Sequence, residues 1–144
     1  MGQTLAEKIL SAKSDTIAIA GNIVVVRVDL AFATDSTGPL TIRQFNESSI
    51  KTIYNKDKTI LFIDHSAPSP ARELSNDHIL MRSFTREKGV FLSEIGEGVC
   101  HQLVAESWAN PGDVIVGSDS HTVTGGALGA SVGGAVGGIA ASKE

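Results

Sequence analysis

With 144 residues, 42% of them hydrophobic but only 5% aromatic, the chain is long enough for one largely aliphatic core. Charged residues make up 19% and sum to a net charge of −4, which argues against a basic nucleic-acid-binding face, so no nucleic-acid partner is expected. A single cysteine excludes an intrachain disulfide and an iron–sulfur cluster held by this chain's own thiolates, and no run reaches the ~18 apolar residues of a membrane span.

The opening "MGQTLAEKIL" lacks a secretory core; together with the lone cysteine this points to a reducing, cytoplasmic setting. "LAEKILSAK" (5–13) spaces Leu5, Ile9, Leu10 and the stem of Lys13 for one helical face. After the turn signal Gly21–Asn22, "IVVVRV" (23–28) predicts a β-branched strand, apolar on both faces apart from Arg27. A loop to Gly38 follows, and then a helix with Pro39 in its first turn, where the missing N–H does no harm. "KTILFIDH" (58–65) is the next strong strand, ending in charge at Asp64 and His65. Ser69 as N-cap, Pro70 in the first turn and Gly89 as terminator frame a helix of roughly five turns, with Leu74, Ile79, Leu80 and Phe84 inward. "FLSEIG" suggests a short strand. "EGVCHQLVAESWANPG" predicts a helix closed by Asn110–Pro111–Gly112, and "DVIVGS" the next strand. Beyond it, residues 125 to 138 contain seven glycines and "SVGGAVGGIAASKE" shows neither a helical face nor strand alternation. Ordering such a segment costs backbone entropy. The chain therefore divides into an α/β domain over 1–130 and an atypical glycine-rich tail over 131–144.

Alternating helices and strands imply a three-layer α/β domain with a largely parallel sheet. Ligands of such sheets bind beyond the carboxyl ends of the strands. Two strands here deliver polar groups to that edge: Asp64–His65 and Ser118–Asp119–Ser120–His121. Neighbouring Asp119, Ser120 and His121 cannot form a hydrolase triad, because the Gly-x-Ser-x-Gly elbow is absent, and "GGALGAS" lacks the Lys-Ser/Thr of a phosphate loop. His65, His101 and His121 with an Asp make a chemically possible zinc set, though no His-x-x-x-His pair supports it. Any one of these residues alone would most simply cap a helix. Two Asp/His pairs at two strand ends instead suit acid–base work. His78 reads as a solvated surface histidine in its helix, Cys100 as a packed thiol, and Trp108 and Tyr54 as packing residues.

Four stretches carry a family resemblance: "LAEKIL", "DHSAP" (64–68), "GEGVCHQLVAE" (96–106) and "PGDVIVGSDSHTVTGGALGA" (111–130). On them the chain resembles the N-terminal portion of the large subunit of the aconitase superfamily, in the 3-isopropylmalate dehydratase and homoaconitase branch. Pro39 favours that branch, since it falls where aconitase proper carries a substrate-binding glutamine. The resemblance implies an aconitase-type N-terminal domain. It also implies a hydro-lyase that dehydrates and rehydrates a small hydroxy acid, such as isopropylmalate or homocitrate, on a [4Fe–4S] cluster. It places Asp64 and His65 as the pair that protonates the departing hydroxyl. Asp119 becomes the acid facing bound water, His101 its partner, Ser120 a substrate-binding hydroxyl and His121 a catalytic, water-binding member of the motif. It puts the cluster cysteines, the substrate-binding arginines and the serine base outside these residues, in the rest of the large subunit and a small swivelling subunit. This chain alone is therefore expected to hold no metal ligand set and to be inactive. The apolar surface those partners normally cover predicts a homo-oligomer. Two other readings stay open, a noncatalytic binding or scaffold protein with the same fold and a stand-alone metal-dependent hydrolase.

Overall fold

A computed structural model describes residues 2–134. The elements run α1 (Leu5–Ala12), β1 (Leu30–Thr34), α2 (Gly38–Glu47), β2 (Thr59–Phe62), α3 (Arg72–Lys88) and β3 (Phe91–Ser93). They continue with α4 (Cys100–Leu103), a π-helical turn (Val104–Trp108), β4 (Val114–Gly117), a 3₁₀ segment (Thr122–Leu128) and β5 (Ser131–Gly134). The five strands form one parallel sheet in the order β3-β2-β1-β4-β5. This is the α/β class that the alternation of elements predicts.

Both faces of the sheet are covered, so its strands are apolar on both sides. Leu30, Phe32, Ile60, Phe62 and Ile115 point to one face and pack against Cys100 and Val104. Ala33, Leu61 and Ile63 point to the other, against Ile42 and Phe45 of α2 and Met81 and Phe84 of α3. Three layers result. The small side chain of Ala33 lets α2 approach closely: a Cβ on Gly38 would stand 3.4 Å from Met81 Cε and 3.7 Å from Ala33 Cβ.

The central strand is not where β-propensity points. "LAFAT" falls in the stretch read as a loop, because alanines are poor strand formers and acids bracket it. Paired on both sides, it is buried at every position but Ala31 and forms the centre of the sheet. Asp29 sets its start by accepting the Val114 N–H at 2.9 Å and Lys13 Nζ at 2.8 Å. Conversely, 23–28 is not a sheet strand. Val24, Val26 and Val28 are half-buried, while Ile23 is 100% and Val25 88% exposed. The alternation is real but it has no ladder partner, and the Arg27 N–H bonds only to the Lys13 carbonyl at 2.8 Å.

Smaller corrections concern helix ends and faces. The N-cap of α3 is Ala71; Ser69 instead donates its hydroxyl to the Ala71 carbonyl. Gly89 does end that helix, in the left-handed conformation at φ 69°. Ile79 and Tyr54 are exposed, whereas His78 is buried. The helix after Val99 loosens into the π turn that seats Trp108 against Phe91. At the tail, Ser131–Gly134 pairs with β4 as a fifth strand in spite of its glycines, because pairing satisfies its backbone. The rest of the tail, 135–144, lies outside the described residues.

Candidate active site

The strand order reverses at β1: β2 and β3 lie on one side, β4 and β5 on the other. Sheets of this kind bind ligands at such a switch point, in the crevice beyond the carboxyl ends of the strands. Three neighbouring strands each run into an aspartate there, Thr34–Asp35, Ile63–Asp64 and Ser118–Asp119. Parallel pairing brings those ends together.

Asp64 is clamped by two donors. Its Oδ2 accepts the Cys100 N–H at 2.7 Å, at the start of α4, and its Oδ1 lies 2.8 Å from His65 Nδ1. The far nitrogen of that ring, Nε2, is 3.3 Å from Asp119 Oδ2. Asp119 in turn accepts the His121 N–H on Oδ1 at 2.7 Å, closing the turn out of β4. The same oxygen is 2.7 Å from His101 Nε2, in ion-pair contact but off the line of a good hydrogen bond, which leaves that buried nitrogen without a hydrogen-bond partner. Ser120 Oγ is 3.1 Å from His121 Nδ1, and both side chains face solvent at the rim. The structure thus gathers Asp64, His65, His101, Asp119, Ser120 and His121 at one edge of the sheet.

Its electrostatics follow from the packing. Burial opposes the charged ring of His65, but the hydrogen bond and charge of Asp64, then the charges of Asp119 and Asp35, outweigh it and raise its pKa above the usual 6.5. Burial likewise works against the Asp119 carboxylate. The His121 amide and the rings of His101 and His65 prevail, so its pKa falls below the ordinary value. The result is a histidine biased toward carrying a proton and an aspartate biased toward releasing one, 3.3 Å apart. That arrangement can deliver a proton to an oxygen in the crevice.

Asp35 was not singled out in the sequence. It is 2% exposed, and it accepts the His65 N–H on Oδ1 at 2.9 Å and the Ser66 N–H on Oδ2 at 2.8 Å. His78 Nε2 lies 3.2 Å from Oδ2. The signal that could have found it is positional, since Asp35 follows an apolar run just as Asp64 and Asp119 do. His78, read as solvated, is 3% exposed because its side of α3 packs onto the sheet.

A [4Fe–4S] cluster does not fit the residues present. It needs several thiolates, and Cys100 is the single cysteine, fully buried, its thiol pushed well up by burial and by Asp64 beside it. Two groups could approach a single metal ion: Asp64, His65 and Cys100, and His101, Asp119 and His121, each with ligand atoms within 4.8 Å of one another. No helix among the described residues is long and apolar enough to cross a membrane.

A model of the aconitase family (aconitate hydratase) matches residues 7–144. The chain is 54% identical over 130 residues to the 3-isopropylmalate dehydratase large subunit of Elusimicrobium minutum, covering 90% of this chain and 31% of that protein. It is 50% identical to large subunit 1 of the same enzyme from Thermotoga maritima and 48% identical to large subunit 2 from Archaeoglobus fulgidus, with the same coverage of each chain. The chain therefore spans about a third of the length of the curated relatives it matches.

Proposed function

This chain belongs to the aconitase family, and on that premise we propose that it supplies the proton-donating half of a hydro-lyase active site in a 3-isopropylmalate dehydratase-type large subunit. Its substrate is then a small hydroxy acid, isopropylmalate or homocitrate, and its partners are the remaining large-subunit residues and a small subunit. The observation that carries the reading is the His65 ring held between Asp64 at 2.8 Å and Asp119 at 3.3 Å.

Dehydration breaks a C–O bond and a C–H bond on neighbouring carbons and leaves a double bond between them. The oxygen departs with both bonding electrons and needs a proton to leave as water. His65 holds that proton, its ring kept charged by the carboxylates around it. Asp119 stays ionised and orients both His65 and His101. Asp64, tied to the Cys100 amide, keeps the ring from turning. Ser120, at the exposed rim, meets the substrate carboxylate, and His121, its ring 3.1 Å from the serine hydroxyl, binds the water. The carbon-bound proton goes to a base outside these residues.

The test grafts residues 1–130 onto the remainder of the Thermotoga maritima large subunit, with its small subunit and cluster restored. Turnover of isopropylmalate is expected, with kcat falling about 100- to 10,000-fold in His101→Ala and Asp119→Ala. Ser120→Ala should act partly on KM, because a hydroxyl holding a carboxylate serves ground and transition states alike. Near-normal turnover of both His101→Ala and Asp119→Ala with the cluster intact would overturn the assignment.

A metal-dependent hydrolase is favoured by one observation, the approach of His101, Asp119 and His121 to a common point. It requires one zinc per purified chain by elemental analysis, together with loss of that zinc in His121→Ala.

A further inference from the structure

The turn carrying His65 belongs to no strand or helix, and neither His65 nor Ser66 gives its N–H to a backbone carbonyl. Both amides go instead to one side chain, the carboxylate of Asp35 at the end of β1. Two consecutive amides aimed at one carboxylate fix both peptide planes around residue 65, and with them the direction of its Cα–Cβ bond. The carboxylate is itself held from behind. His78, on the inward side of α3, brings Nε2 to 3.2 Å from the oxygen that already accepts the Ser66 amide.

We propose that Asp35 and His78 are positioning residues that aim the His65 imidazole so that it meets Asp64 and Asp119 at once. This rests on the acid–base reading of that ring. The demand is geometric: Nδ1 must reach Asp64 at 2.8 Å while Nε2 stays 3.3 Å from Asp119, across two different strands. A displacement of about 1 Å at such a group can cost roughly 100-fold in rate. Asp64, held by the Cys100 amide, stops the ring from turning, but as the residue next to His65 it does not fix the peptide planes around residue 65. Asp35 lies on the central strand, which pairs with both β2 and β4, and so ties the turn to the frame that also carries Asp119.

Such a role differs from simple core packing. A buried carboxylate needs hydrogen-bond donors, and a purely structural Asp35 could take them from any element; here two of them lie in the one turn whose orientation the site requires. His78 completes the set from α3, and its neighbour Asp77 pairs with Arg43 of α2, so the helix that presents it is also anchored to the next layer.

The experiment uses the isotope-labelled 144-residue chain, with amide hydrogen exchange and imidazole nitrogen spectra as readouts. In the wild type, the His65 and Ser66 amides should exchange slowly, like those of β2, although they lie outside any regular element. Exchange at ordinary loop rates would overturn the proposal. Asp35→Asn keeps the size but can no longer accept from every donor. It should speed exchange at His65 or Ser66 by roughly tenfold or more and shift the His65 ring signals, with the amides of β1 and β4 unchanged. A folded Asp35→Asn chain with unaltered His65 ring signals would also overturn it. His78→Leu should give the same signature more weakly, and His78→Gln, which retains a donor, should restore the wild-type pattern; identical spectra for Leu and Gln would exclude His78 from the role. If Asp35→Asn does not fold, the wild-type exchange rates and the two His78 variants decide. No readout depends on turnover, so a failure here is distinct from a failure of the dehydratase reading.

Discussion

Residues 63–66 and residues 17–28 are both short stretches outside regular structure that carry or adjoin an apolar run, yet they meet opposite fates. Around Asp64 and His65 the His65 and Ser66 amides find the Asp35 carboxylate, Asp64 takes the Cys100 amide, and the His65 ring meets both Asp64 and Asp119, so the turn is locked. In the arm from Ile17 to Val28, Ile17, Ile19, Ile23 and Val25 face solvent and few backbone groups are paired. Composition would place the arm inside and the site outside. What decides is whether long-range partners exist for the backbone, since burial without them leaves polar groups unsatisfied. Hydrophobicity alone does not choose the core.

The sharpest way to break the contrast is to empty the core beneath the locked site. Phe32 is fully buried, edge-on to Phe62 and to His101. Phe32→Ala should lower stability by about 3–5 kcal/mol in urea unfolding, and a loss within experimental error of zero would show the sheet centre to be loosely packed. Filling space there should also do harm. A Cβ on Gly117 would fall 2.4 Å from Thr122 Oγ1 and 2.7 Å from Phe32 Cε1, so Gly117→Ala should cost about 1–3 kcal/mol by the same measurement.

Next in size is the charge arrangement. Asp119 has a lowered folded pKa, so its contribution to stability is present above the ordinary value of 3.8 and is lost as pH falls through the folded value. His65 has a raised folded pKa; its contribution is complete below 6.5 and lost as pH rises through the folded value. The pair therefore helps most between those limits. Nuclear magnetic resonance should give a His65 midpoint above 6.5 that falls in Asp119→Asn, whereas a wild-type midpoint below 6.5 would contradict the assigned contacts. The smallest effect belongs to the arm: Ile23→Thr and Val25→Thr should change unfolding free energy by no more than about 0.5 kcal/mol. A large loss would mean that the outer face of the arm is covered in solution.

Much of this was legible in the residues. The runs "TILF" and "VIVG" are strongly apolar and run on into charge, so β2, β4 and the meeting of Asp64, His65 and Asp119 beyond them could be read directly. Gly89 and Pro39 marked helix boundaries through backbone geometry that only a few residues suit. The central strand is hard to see because alanine signals nothing by itself; Ala33 matters through the helix it lets approach. Asp35 and His78 escaped because their meaning lies in each other, 43 positions apart, and no local pattern records such a partnership. The arm misled for the converse reason, since β-branched alternation reports an extended backbone and not a neighbour for it.

The place of β1 between β2 and β4 also orders events during synthesis. Leu30 pairs with Ile115, and Thr37 Oγ1 meets Ser118 Oγ at 2.7 Å. As the chain leaves the ribosome, β1 can join β2 early, but its other flank waits until some 80 further residues have emerged. During that interval the strand destined for the centre of the sheet presents a bare edge, open to wrong pairing with other chains. Such long-range closure is slow compared with helix formation, so α2 and α3 can settle onto a half-built sheet first. A nascent chain arrested before Val114 should therefore be a better substrate for a chaperone than one arrested just after Gly134.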